Sequence, residues 1–159
     1  MARDNLLAWK FLGVVSFNVF KKRQSMTPAQ NRVFYKPAFK AATQKYNLPP
    51  GLLERVAQQE CSFRSDTIHG GPNKAGAIGI MQIVPRWHPQ ASPKVPHAAI
   101  DYGAGFLKDM YDQFGNWQDA LAAYNYGSGN VTKYLAGQIK LPRETIKYKR
   151  EILRGIGLV

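Results

Sequence analysis

Cysteine is nearly absent from this chain of 159 residues: Cys61 stands alone, so no disulfide can form within it, and the fold does not depend on an oxidising compartment. Acidic residues are scarce, 10 Asp and Glu against 22 Lys and Arg, which leaves a formal net charge of +12. Long apolar runs are also missing. The most apolar stretch, Leu6 to Phe20, falls short of the roughly 20 residues a membrane span needs, and Lys10 interrupts it. There is no internal repeat, no low-complexity tract and no strand-like run long enough for an extensive sheet. His69, His88 and His97 have no metal-ligand spacing, so neither a metal nor another cofactor is expected. What remains is 45% hydrophobic and 20% charged, the composition of a soluble globular protein, at a length that suits one domain with a real core.

The positive charge is placed unevenly. Residues 1–40 hold 8 Lys/Arg and 1 Asp/Glu, residues 41–132 hold 7 and 7, and residues 133–159 hold 7 and 2. Basic ends suit an anionic surface such as nucleic acid, phospholipid headgroups or an acidic wall polymer, or they are a solvated face. Specific nucleic-acid binding is disfavoured, because no recognised motif and no basic stripe interleaved with aromatics is present. At the N-terminus, Asp4 weakens a basic start and no small-x-small site follows the apolar run, so a cleavable secretory signal fits poorly. A helix lying on a membrane or packed on a partner fits better, with packing on its own domain as the alternative. The chain is therefore read as an apolar and basic extension, 1–27, and a domain, 28–159.

The domain reads as mainly helical. Thr27 and Pro28 form a helix start, followed by Phe34, Ala38 and Ala42 on one face with Tyr35, Phe39 and Tyr46 beside it. A second helix runs from about Pro50 to Glu60, with Leu53, Val56, Ala57 and Glu60 on one stripe. Residues 64–74 read as loop, and Gly76 to Ile80 as either a short strand or the opening of a helix. Ile100, Ala104, Leu107, Tyr111 and Phe114 mark the clearest helix, stopped by Gly115; Asn116 caps the next, which bears Trp117, Ala120, Leu121 and Tyr124. A Gly127-Ser128-Gly129 turn follows, and a last helix near Pro142 carries Ile146, Ile152 and Leu153.

Glu60 is the residue with chemistry in it. A carboxylate on an apolar stripe, late in its helix where the dipole is negative, is costly in its charged form, so its pKa should rise. A neutral carboxylic acid beside a cleft is what glycosidic cleavage needs to protonate a leaving oxygen. Position alone favours a buried Glu held by hydrogen bonds or an Arg. Other segments supply binding chemistry: Gly76 and Gly79 remove side chains so that a ligand can approach closely, Met81 and Gln82 offer a soft apolar contact and an amide, and Tyr124 and Asn125 close a helix. An aromatic hydroxyl, two amides and open glycine backbone are tools for binding an acetamido sugar.

Four segments in order, Glu60-Cys61-Ser62-Phe63, Gly76 to Pro85, Ala122 to Gly129 and Leu141 to Tyr148, resemble the soluble lytic transglycosylase family over about residues 34–153. The resemblance implies a lysozyme-like, mainly helical fold of goose-type lysozyme kind. It implies cleavage of the bond between N-acetylmuramic acid and N-acetylglucosamine in peptidoglycan, leaving a 1,6-anhydromuramoyl product. On this resemblance Glu60 is the sole catalytic acid/base, Met81 and Gln82 are cleft residues, Tyr124 and Asn125 bind the glycan, and Tyr148 approaches the catalytic carboxyl. Glu144 is implied to be structural, bonding backbone or holding the last helix. Two departures stand out: Cys61 replaces the usual Ser, as a small buried filler, and the loop before Gly76 is long, with Asn73 and Lys74 in the region where a Ser often contacts the catalytic Glu.

The expected function is thus a peptidoglycan-cleaving enzyme that opens the wall locally, in a phage virion or at the cell envelope, with residues 1–27 docking it to a membrane or a virion or secretion apparatus. A muramidase using Asp66 as second acid and a non-catalytic glycan-binding particle protein are the alternatives.

Overall fold

The computed structural model describes residues 26–158, so most of the N-terminal extension, with the docking role expected of it, lies outside the described residues. The described residues form seven helices: α1 Pro28–Lys45, α2 Leu52–Cys61, α3 Ser65–Ile68, α4 Pro96–Phe114, α5 Trp117–Tyr126, α6 Ser128–Leu135 and α7 Arg143–Gly155. The fold is mainly α, as the sequence implies.

Helix α1 begins where the Thr27-Pro28 signal places it. Thr27 Oγ1 accepts from the Gln30 amide at 3.3 Å, and Gln30 Oε1 accepts from the Thr27 amide at 2.9 Å, a closed capping box. Its buried face differs from the apolar pattern. Asn31, Tyr35, Phe39 and Ala42 are buried, whereas Phe34 turns to the surface and packs edge-on against Tyr35 with centroids 4.9 Å apart. The rotation follows from a polar residue that the core accepts. Asn31 Nδ2 donates to the Phe63 carbonyl at 2.9 Å and to Ser65 Oγ at 2.8 Å, bonds to a distant segment that hydrophobic spacing cannot reveal.

Helix α2 is the central element. Leu52, Leu53, Val56 and Ala57 have no exposed surface, and the helix packs against α1 and α7. Burying each Leu or Val here stabilises the fold by about 1.5–3 kcal/mol. The chain leaves α2 through Ser62 and Phe63, both left-handed at φ 48° and 55°, so the polypeptide turns sharply just beyond Glu60.

Residues 64–74 are not wholly loop, since α3 forms a single turn there. Gly76 to Ile80 is neither strand nor helix; Ile78 and Ile83 make an isolated antiparallel bridge closing a tight turn. Helices α4 and α5 pack against each other, with Gly115 (φ 73°) ending the first and Asn116 Oδ1 accepting the Asp119 amide at 2.9 Å to cap the second. The Gly127-Ser128-Gly129 segment opens α6 rather than a simple turn: Gly127 at φ 90° breaks the path, and Val131 then packs with Ala120, Ala123 and Leu141 in a second, smaller core. In α7 the buried residues are Thr145, Tyr148, Ile152 and Leu153, while Ile146, placed inside by its apolar character, is 43% exposed.

Candidate active site

A cleft of about 780 Å³ runs between the C-terminal end of α2, the turn around Met81, helix α4 and the end of α5. Glu60 lines it, at the last turn of α2 on the stripe that the apolar spacing defines. Tyr148, from α7, donates its hydroxyl to Glu60 Oε1 at 2.6 Å. The carboxyl is pushed up to about 7 from an ordinary 4.5, chiefly because burial penalises its charged form; the Tyr148 hydroxyl pulls the other way, and the nearby Glu144 charge adds to the rise. The Tyr148 hydroxyl is held well above its ordinary range by burial and by the adjacent carboxyl, so it remains a donor.

The other sites expected from the sequence divide by role. Tyr124 reaches the cleft from α5 and donates to the Met81 carbonyl at 3.1 Å, tying α5 to the turn. Met81 lies under the cleft floor with no exposed surface of its own. Gly103 of α4 makes room for this contact, since a Cβ there would sit 2.9 Å from Met81 Cε and 3.3 Å from the Tyr124 hydroxyl. Gln82, at a left-handed φ of 45°, lines the cleft but commits its amide internally: Nε2 donates to the Gly79 carbonyl at 2.8 Å, and Oε1 accepts from Asn73 Nδ2 at 3.0 Å. Asn125 is exposed in the cleft, with Oδ1 accepting from Thr145 Oγ1 at 2.8 Å, so its amide nitrogen is oriented by α7. Tyr148 is buried behind Glu60 and acts on that carboxyl rather than lining the cleft.

Some expectations are corrected and others stand. Gly79 serves the fold, because a Cβ there would lie 2.2 Å from the Pro93 carbonyl oxygen; the close approach is by the protein's own backbone and not by a ligand. Glu144 faces the cleft at the first turn of α7 and acts on Glu60 through its charge; no described hydrogen bond ties it to backbone, while its acidic side chain suits the N-terminus of the last helix. Asp66 is exposed, outside the cleft, and bound by Arg64 (Nε to Oδ1 3.1 Å), which keeps its carboxyl below the ordinary range. Asn73 braces the long loop by accepting the Ala75 and Ala77 amides at 2.8 and 3.0 Å, while Ala75 lines the cleft, so the hydroxyl at Glu60 is that of Tyr148. Cys61 is a buried filler, its thiol 3.2 Å from the Ala57 carbonyl and pushed up to about 12 by burial.

Sequence reasoning missed four aromatic residues of the lining. Trp87, His88, Tyr102 and Phe106 line the cleft outside the four motifs, with Phe106 packed beside Tyr124, ring centroids 5.6 Å apart. Tyr102 and Phe106 are one helical turn apart on α4, a spacing that was available but stood beside the stronger stripe of Ile100, Ala104 and Leu107. His88 Nδ1 lies 2.8 Å from the Tyr102 hydroxyl, and burial lowers its pKa, which favours the neutral ring.

A family model described as "Transglycosylase SLT domain" matches residues 37–146, a span that includes Glu60, the Met81 turn, Tyr124, Asn125 and Glu144. The chain belongs to the transglycosylase SLT domain family. Protein IpgF of Shigella flexneri is 26% identical to this SLT domain over 123 residues, which cover 71% of the chain and 74% of IpgF. A protein named Transglycosylase from Enterobacteria phage PRD1 is 30% identical over 122 residues, 75% of this chain and 42% of the phage protein. Soluble lytic murein transglycosylase of Escherichia coli K12 is 29% identical over 122 residues, 66% of this chain but only 18% of that larger protein. The match ends two residues short of Tyr148, the hydrogen-bond partner of Glu60. Among the described residues no helix is long and apolar enough to cross a membrane, and no group of three or more His, Cys, Asp or Glu comes together.

Proposed function

We propose that this SLT domain is a peptidoglycan lytic transglycosylase that cleaves the β-1,4 bond between N-acetylmuramic acid and N-acetylglucosamine, with Glu60 as its single acid and base. The observation that carries the reading is a carboxyl at the cleft that burial holds protonated up to about pH 7, with a tyrosine hydroxyl fixing one of its oxygens. Glu60 gives its proton to the glycosidic oxygen as the bond to the anomeric carbon breaks. The substrate's acetamido group stabilises the positive anomeric centre, which removes the need for a second carboxylate. Glu60, now a carboxylate, takes the proton of the muramoyl 6-hydroxyl as that oxygen bonds the anomeric carbon. The 1,6-anhydro ring closes, and Glu60 returns to its acid form. Tyr148 stabilises the anion that exists between the two proton transfers. Tyr124 and Asn125 hold the glycan, and Met81 and Gln82 shape the floor.

A hydrolytic outcome, that of a muramidase, is the second reading. Glu144 is the other carboxyl lining the cleft and would have to activate water. Mass spectrometry of digested peptidoglycan separates the two. Anhydro ends support the transglycosylase; reducing ends refute it in favour of the muramidase. Glu60→Gln should abolish wall lysis while glycan binding persists, and undiminished lysis in that variant excludes Glu60 as the acid and moves the chemistry to another group.

The setting proposed is local wall opening from a phage virion or at the cell envelope. Relatives named Transglycosylase in phage PRD1 and soluble lytic murein transglycosylase in Escherichia coli support this range of settings. Residues 1–27 are proposed to dock the enzyme to a membrane or to a virion or secretion apparatus, on the strength of their apolar and basic sequence.

A further inference from the structure

Trp87 is an anomaly on this surface: it is 69% exposed, although an indole is among the side chains that gain most from burial. It also lines the same cleft as Glu60, just beyond the end of the Gly76–Pro85 motif. Its backbone is firmly placed. The Trp87 amide donates to the Val84 carbonyl at 3.0 Å, and the Ala91 amide donates to the His88 carbonyl at 3.0 Å. The adjacent His88 is pinned by its Tyr102 bond of 2.8 Å and by edge-on packing against Phe106, centroids 4.7 Å apart. The Arg86 guanidinium sits over the indole, 4.9 Å from the ring centroid, which braces one face and orients the plane. An apolar plate is thus held rigidly in water at the lip of a polar cleft, with its one polar atom at its edge.

A pyranose ring is the complementary object. Its axial C–H groups form an apolar face that settles on the negative face of an aromatic ring, while its hydroxyl rim stays in water or meets donors such as the indole N–H. We propose that Trp87 is a stacking platform for a sugar ring of the glycan strand, a binding subsite beyond the two sugars that flank Glu60. The proposal rests on the function argued above, and it adds a specificity-determining residue outside the four motifs. Trp87 does not touch the reacting atoms in this reading; it lengthens the grip on the strand, so polymeric substrate gains and short fragments do not.

The test uses the full chain carrying Glu60→Gln, which binds without turnover, titrated with a hexamer of β-1,4-linked N-acetylglucosamine. Binding should change the tryptophan fluorescence, and this change should vanish when Trp87→Phe is added. By calorimetry, Trp87→Ala should weaken the hexamer by about tenfold, Trp87→Phe by less, and a dimer should show no difference. In the active enzyme Trp87→Ala should raise KM for polymeric peptidoglycan and leave kcat within about twofold, since the interaction is equal in ground and transition states. Because the side chain is exposed, truncation opens no core cavity; should Trp87→Ala nonetheless lose its helical circular dichroism, the Phe variant carries the test. Hexamer affinity and fluorescence indifferent to Trp87 overturn the subsite, whether or not the wild type makes anhydro ends, and would return the exposed indole to a protein-docking role. A Trp87-dependent hexamer signal in an enzyme that yields only reducing ends supports the subsite and refutes the transglycosylase reaction, so the two failures are distinguishable.

Discussion

Replacing Glu60 by Gln should stabilise this protein at alkaline pH while destroying its activity. The native carboxyl titrates at about 7 because burial disfavours its charge, whereas the unfolded chain has the ordinary value of 4.5. Folding therefore binds a proton, and its contribution to stability is complete below pH 4.5, declines as pH rises, and is gone above about 7. The displacement is worth about 3 kcal/mol between the two limits. Gln is a neutral near-isostere that can still accept the Tyr148 hydroxyl, so it mimics the protonated state at every pH. The stability difference between variant and wild type should grow by about 3 kcal/mol from pH 4 to pH 9, or roughly 6–12 °C in Tm for a chain of this size. Urea unfolding of both proteins at intervals across that range measures it. A difference that stays flat with pH would refute the reasoning, because it would mean that Glu60 is solvated well enough to ionise freely in the folded state.

Two neighbours should tune the same proton in opposite directions. Tyr148→Phe removes the donor that favours the carboxylate, so the alkaline limb of the pH–rate profile should move to higher pH as kcat falls. Glu144→Gln removes a repelling charge, so that limb should move to lower pH; a shift of the same sign in both variants contradicts the assigned causes. Asn31→Ala leaves the Phe63 carbonyl and Ser65 without their buried donor and should cost about 1–3 kcal/mol in denaturant unfolding, with KM unchanged.

Much of the site was legible in the chain because its cues are local. Glu60 falls on the stripe of Leu53, Val56 and Ala57 by simple helical spacing, and the α4–α5 boundary at Gly115 and Asn116 is written in two residues with strong conformational preferences. The approach of Tyr148 to Glu60 was expected from the family resemblance, not from spacing, since the two are 88 residues apart. The reading of Gly79 as room for a ligand failed for the opposite reason. A glycine signals a close approach but not what approaches, and here it is the Pro93 backbone. Asn31 and Phe34 exchanged places for a similar cause: polarity alone does not say whether a buried partner awaits.

By itself, then, the sequence determined the helical class, the absence of a disulfide and the helix turn that carries the acid, since composition, periodicity and capping act over a few residues. The tertiary structure alone decided how far burial raises the Glu60 proton, that Glu144 faces the cleft, that Asp66 lies outside it, and that an exposed Trp87 lines it. Desolvation and cleft geometry are sums over side chains brought from distant parts of the chain, so no local pattern encodes them.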